Sequence, residues 1–138
     1  MNRVGVWEHW SPRMLSVLRI MTGLQFIEHG TQKLFGFPPS SMPGPSLFSL
    51  LGFQGLLELV GGLLILFGLF TRPTAFVLAG NMAVAYFMAH APRSFFPALN
   101  GGDAAILFCF VFLYLMVAGG GEWSIDAMLR RYSASAPR

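Results

Sequence analysis

The sequence predicts an all-α integral membrane protein: a four-helix bundle with both termini cytoplasmic, a short extramembrane or re-entrant helix in the first loop, and a C-terminal amphipathic interfacial helix. Three observations predict it. Of 138 residues, 54% are hydrophobic and only 11% charged, a composition unsuited to a chain that faces water on all sides. The apolar residues gather into four stretches, at about 14–34, 53–70, 74–90 and 104–118, each near the roughly 20 residues that cross ~30 Å of hydrocarbon. Basic residues divide unequally between the ends of those stretches. Arg3, Arg13, Arg72, Arg130, Arg131 and Arg138 fall on one side, with Arg19 one turn inside it, whereas Lys33 and Arg93 fall on the other. Positive charge is retained in the cytoplasm, so the arginine-rich side is expected to be the inner one. A soluble bundle would leave these helices no polar face. The length allows one domain, 1–138.

Each element has its own boundary chemistry. The first span is expected to open at SPRML, with Ser11 as N-cap and Pro12 at the first helical position. Trp7 and Trp10, just before it, suit the aromatic belt of the inner interface. The first link, GFPPSSMPGPSLFSLLG, carries four prolines and no charge, and is expected to fold against the membrane surface. Its SLFSLL core, opened by Ser46 and closed by Gly52, suggests a turn or two of interfacial or re-entrant helix. Only Thr71, Arg72 and Pro73 separate the second and third stretches, which demands an antiparallel hairpin. The fourth, AAILFCFVFLYLMVA, is short and must recruit its flanking glycines or sit in thinned bilayer. After it, at about 124–132, Ile125, Met128, Leu129 and Tyr132 recur at helical spacing with arginines between them, the pattern of a helix lying on the inner leaflet. Nothing has the form of a cleavable signal.

Composition also excludes several functions. Cys109 stands alone in the fourth stretch, so an internal disulfide, a CxxC pair and a thiolate metal site are ruled out, and a packing thiol is the expected role. The net charge of +3 is accounted for by anionic lipid at the inner surface, without nucleic acid. Paired broken helices, the usual mark of a transport site, are missing. His29 and His90 lack the i, i+4 partner of a metal or haem site, so no metal ligands are assigned.

What remains is a polar cluster at one depth. Glu28 and His29 lie roughly 8 Å inside the outer end of the first span, and Glu58 lies a similar distance inside the outer end of the second. Asn100 and Asp103 open the last span on the same side, where His90 closes the third. Glutamate in hydrocarbon costs about 2.5 kcal/mol or more, and is expected to face inward, be paired or be neutral. Gln25, Glu28, His29 and Gln32 span an arc of about 100° on one helix face, with Lys33 some 40° beyond. Glu28 and His29 sit at opposite margins of that arc. On the second span Gln54 and Glu58 share a face, and Gly61 and Gly62 permit close approach of a neighbouring helix. Each has a plainer reading: Glu58 as a hydrogen bond locking two helices, His29 as a packing residue, Lys33 as a snorkelling terminal lysine, Asn81 as an interhelical hydrogen bond.

HGTQKLFGF, ELVGGLLILFGLFTR, NGGD and WSIDAML, in this order and spacing, resemble the DoxX family of small four-helix bacterial membrane proteins, from about Arg19 to Leu129. Relatives include a subunit of a thiosulfate:quinone oxidoreductase and members linked to membrane redox or oxidative-stress complexes. The resemblance implies functional positions at His29, Gln32 and Lys33 of HGxQK, at Glu58 of ELxGG, and at the acidic residue after the double glycine. That residue is Asp103 here, where the family pattern leads one to expect glutamate.

No dinucleotide loop, cysteine cluster or haem attachment motif is present, so no covalently bound cofactor is expected. Quinone binding is compatible with the residues, because a head group needs hydrogen-bond donors to its carbonyls and a proton route. The leading expectation is therefore an integral component of a redox system in the bacterial inner membrane. It would bind quinone or a similar lipophile at Glu58, His29, Gln32, Lys33, Glu28 and Asp103, and would work with a protein partner in a redox complex or as a homo-oligomer. The alternative is a membrane scaffold or anchoring subunit with no ligand of its own.

Overall fold

The computed structural model describes residues 5–39 and 47–135. Among them are six helices and no strand: α1 (Val6–Phe35), α2 (Leu50–Phe67), α3 (Thr71–Ala85), α4 (Pro97–Asn100), α5 (Asp103–Ala118) and α6 (Ile125–Ser135). A π-helical turn, Tyr86–His90, continues α3 without a break. α1 runs along α2, α2 along α3, and α3 along α5.

Several boundaries differ from expectation, each for a local reason. α1 starts five residues before Ser11, because the Glu8 carboxylate accepts the Gly5 N–H at 3.2 Å and so satisfies the helix start there. Pro12 is then inside the helix, where it removes a single backbone donor. No separate helix forms in the described part of the first loop: Leu47–Ser49 is a turn, Ser46 lies outside the described residues, and Leu50 already belongs to α2. Ser49 Oγ caps that helix by accepting from Gly52 N at 3.1 Å. α2 ends at Phe67 because Gly68 adopts the left-handed conformation, φ 66°. Gly68 N–H then bonds Ile65 O and Leu69 N–H bonds Leu64 O. The link to α3 is consequently Gly68–Phe70.

α3 begins on Phe70, whose φ of 49° is unusual for a bulky residue. Asp126 holds it there: its two carboxylate oxygens accept the N–H groups of Phe70 and Thr71, both at 2.9 Å. The N-terminal cap of α3 is thus supplied from α6, and the negative charge meets the positive end of the helix dipole.

Among the described residues only α2 is both long and apolar enough to cross a membrane by those two criteria; α5 is apolar but shorter. The outer surface is apolar along several helices, with Phe53, Leu56, Val60, Leu63 and Phe67 exposed on α2 and Leu107, Phe110, Tyr114 and Val117 on α5. Apolar patches of this kind mark a surface meant for lipid or another protein. The interior is a contiguous apolar cluster. Phe26 meets Phe112 edge-on at 4.8 Å and Phe108 at 5.2 Å, beside Ile65, Leu78 and Leu115.

α1 and α2 approach to backbone contact. A Cβ on Gly30 would lie 2.6 Å from Leu59 N, and one on Gly23 would lie 2.7 Å from Leu66 N. Gly62 faces α1 through Ile27, whereas Gly61 faces Leu78 of α3. The glycine pair read from the sequence therefore serves two neighbours. Asn81 makes no interhelical bond, since its buried Nδ2 has no partner among the described residues.

Candidate functional site

The α1/α2 seam brings Lys33 and Glu58 together. Gly55 lets the base of the Lys33 side chain lie close to α2, 3.0 Å from where a Cβ would stand, and Lys33 Nζ then donates to Glu58 Oε1 at 2.6 Å. Glu58 is 2% exposed, while the Lys33 side chain keeps 27% of its surface accessible. Glu58 Oε2 is buried and has no hydrogen-bond partner among the described residues. Such an orphan acceptor beside a charged donor is the pattern that a hydrogen-bonding ligand satisfies.

The other candidates are arranged around this pair or away from it. His29 is exposed and packs edge-on against Phe108 of α5, ring centroids 6.2 Å apart. Gln32 is half-buried and donates through Nε2 to Pro38 O at 3.3 Å, which ties the start of the first loop to α1. Glu28 is exposed, and its backbone carbonyl accepts from Thr31 Oγ1. Asp103 is exposed in the first turn of α5. The side chains of Glu28 and Asp103 have no bond to Glu58 or Lys33. Several surface clefts among the described residues lie elsewhere, and neither Glu58 nor His29 lines them. Among the described residues no three His, Cys, Asp or Glu side chains group as metal ligands.

At the same end Asn100, 2% exposed, organises the turn between α3 and α5. Its Nδ2 donates to Ser94 O at 2.9 Å, its Oδ1 accepts from Gly102 N at 2.7 Å, and its carbonyl meets His90 Nδ1 at 3.0 Å. His90 is therefore held by the loop.

The largest departure from the sequence reading is at the opposite end, where α6 docks. Arg19 is fully buried. Its guanidinium donates to Gly120 O at 2.7 Å, Ile65 O at 2.6 Å and Trp123 O at 2.6 Å, and also to Leu66 O. Arg19 thus closes the C-terminal carbonyls of α2 and fastens the segment leading into α6. Ser16 Oγ accepts from Trp123 N at 3.0 Å beside it, and Arg13 pairs with Glu122 at 3.3 Å. Backbone carbonyls carry no sequence signature, so position alone places Arg19 only as a charge one turn inside the arginine-rich end.

Comparisons with known proteins agree with this apolar architecture. The DoxX family model matches residues 14–91. An uncharacterized protein of Haemophilus influenzae is 40% identical over 124 residues, covering 86% of this chain and 92% of that protein. Inner membrane protein YqjF of Escherichia coli is 32% identical, covering 83% of this chain and 91% of its own length. An uncharacterized membrane protein of Mycobacterium tuberculosis is 28% identical, with 87% and 83% covered. No solved structure matches the chain. The family match spans more than half the sequence and includes both sides of the Lys33–Glu58 seam: the chain is a membrane protein belonging to the DoxX family.

Proposed function

We propose that the protein crosses the bacterial inner membrane four times, both termini on the cytoplasmic side, and holds the head group of a quinone or similar lipophile beside the Glu58–Lys33 pair as the membrane component of a redox system. The observation that carries the ligand reading is the buried Glu58 Oε2 without a partner. The residues fit such a head group: Lys33 Nζ can donate to a quinone carbonyl, and the free carboxylate oxygen can accept from the hydroxyl of the reduced form. A quinone, when bound, supplies the electron and proton acceptor that the side chains lack. Lys33, the more exposed partner, is the group that would swing to admit the head group. The spanning reading is supported by dimensions. α1, at 30 residues, is about 45 Å long and overhangs ~30 Å of hydrocarbon, while α3 with its π turn comes to about 30 Å.

Extraction of co-purifying lipophiles followed by mass spectrometry tests the ligand. Stoichiometric quinone in the wild type, lost in Glu58→Gln with the melting temperature little changed, is the expected result. An empty wild-type protein would overturn it. A reporter fused after Arg138 should be active only where cytoplasmic reporters are; activity on the exported side would reverse the proposed orientation.

A second reading is favoured by the ion pair itself, which already joins α1 to α2. As a scaffold the protein needs no ligand and Glu58–Lys33 is a clasp. Then Glu58→Leu should lower stability by about 1 to 3 kcal/mol, and the exchanged pair Lys33→Glu with Glu58→Lys should recover most of it. Under the ligand reading the exchanged pair remains empty of quinone.

A further inference from the structure

The geometry points to a second binding site, for the head group of an anionic phospholipid, in a cleft of about 330 Å³ between the start of α3, the Gly119–Gly120 turn and α6. Arg72 and Arg130 both line it. Arg72 is fixed in place: its Nη1 donates to the carbonyls of Met116 at 3.1 Å and Val117 at 2.6 Å, at the end of α5. Its Nε and Nη2 make no hydrogen bond among the described residues, and that edge lies toward Gly119, where a Cβ would stand 3.5 Å from Nη2. A guanidinium held by one nitrogen with its Nε/Nη2 edge free is arranged for bidentate capture of a phosphate or carboxylate. Arg130, also exposed, has no ion pair among the described residues, unlike its neighbour Arg131, which approaches Glu122 at 3.9 Å.

Asp126 is the one acid lining this cleft, and both its oxygens are engaged by the N–H groups that start α3. Two cationic groups therefore face one carboxylate already committed elsewhere, and the balance favours an anion. Thr71, whose buried hydroxyl lacks a partner among the described residues, also lines the cleft. Phe70, 64% exposed, and Leu129, 53% exposed, flank it. A free anion has no use for such apolar walls, whereas a phospholipid lays its acyl chains along them. The lipid's phosphate would bridge Arg72 and Arg130, joining α6 to the start of α3. This site rests on the proposed membrane orientation only in that the α6 end must lie at head-group depth.

Native mass spectrometry of the full chain in neutral detergent, titrated with phosphatidylglycerol or phosphatidylcholine, tests it. One phosphatidylglycerol should be retained in preference to phosphatidylcholine. Arg130→Ala should weaken that binding by about tenfold or more, the loss of a charge-assisted hydrogen bond, and Leu129→Asp should weaken it without removing any arginine. Arg131→Ala, altering the adjacent cleft, should leave it unchanged. Equal retention of phosphatidylcholine, equal weakening by Arg130→Ala and Arg131→Ala, or displacement of the lipid by equimolar inorganic phosphate would each overturn the proposal. Binding in detergent does not depend on Glu58 or on the reporter fusions, so failure here and failure of the quinone or topology readings are separate results.

Discussion

Arg19→Leu should yield little or no folded protein after detergent extraction. The substitution removes every donor that Arg19 supplies to the carbonyls of Ile65, Leu66, Gly120 and Trp123, and leaves them facing an apolar side chain. Each buried carbonyl left without a donor costs about 1 to 3 kcal/mol, together a large part of the 5 to 15 kcal/mol that holds a typical domain together. Arg19→Lys keeps the charge but offers a point donor in place of a fork, and should give an intermediate melting temperature with α6 more open to protease. Limited proteolysis and thermal unfolding measure both effects. A wild-type melting curve for Arg19→Leu would show that the four carbonyls find water or other donors without it.

Gly30→Leu should separate α1 from α2 and break the Lys33–Glu58 pair without touching either residue. Its Cβ would lie 2.6 Å from Leu59 N and 2.9 Å from Leu59 Cα. Backbone atoms cannot move aside like a side-chain tip, so the helices must part. Overfilling a close contact costs about 1 to 3 kcal/mol, and loss of the pair adds to it. Gly80→Ala is the control, because nothing lies within 4 Å of the new methyl; helix propensity alone predicts a gain of up to about 1 kcal/mol. Comparable melting of the two variants would remove the case for a backbone-tight seam.

The contrast between these positions shows what was legible in the sequence. The positions of α1, α2, α3, α5 and α6 follow from apolar stretches and helical spacing, because length and hydropathy act locally, whereas no separate helix forms in the described part of the first loop and the one-turn α4 has no such signal. Glu28, His29 and Glu58 can be placed at one depth, with Lys33 just beyond on the same helix, since each lies a countable number of residues from its helix end. The partnership of Lys33 with Glu58 was open because the azimuth of one helix against another depends on contacts such as Gly30 with Leu59. His29 reaches the edge of Phe108 instead of the pair, and that too required the relative rotation of α1 and α5. Helix starts differ from the sequence expectation where the cap comes from an unexpected residue: Glu8 ahead of Pro12, and Asp126 for α3. From position alone Arg19 is a charge one turn inside the arginine-rich end, and its role emerges only once the ends of α2 and α5 are brought around it.

Under the proposed topology the Lys33–Glu58 bond also bears on how the chain would enter the bilayer. If α1 were released into lipid alone, Lys33 and Arg19 would both arrive without acceptors; if α2 were released alone, Glu58 would arrive without a donor, at a cost of about 2.5 kcal/mol or more for a carboxylate in hydrocarbon. When the two helices partition as one hairpin, Lys33 and Glu58 form a neutral couple, and Arg19 already has the carbonyls of Ile65 and Leu66 before Gly120 and Trp123 are made. In the proposed four-span topology the α1–α2 hairpin would therefore be the natural unit of insertion.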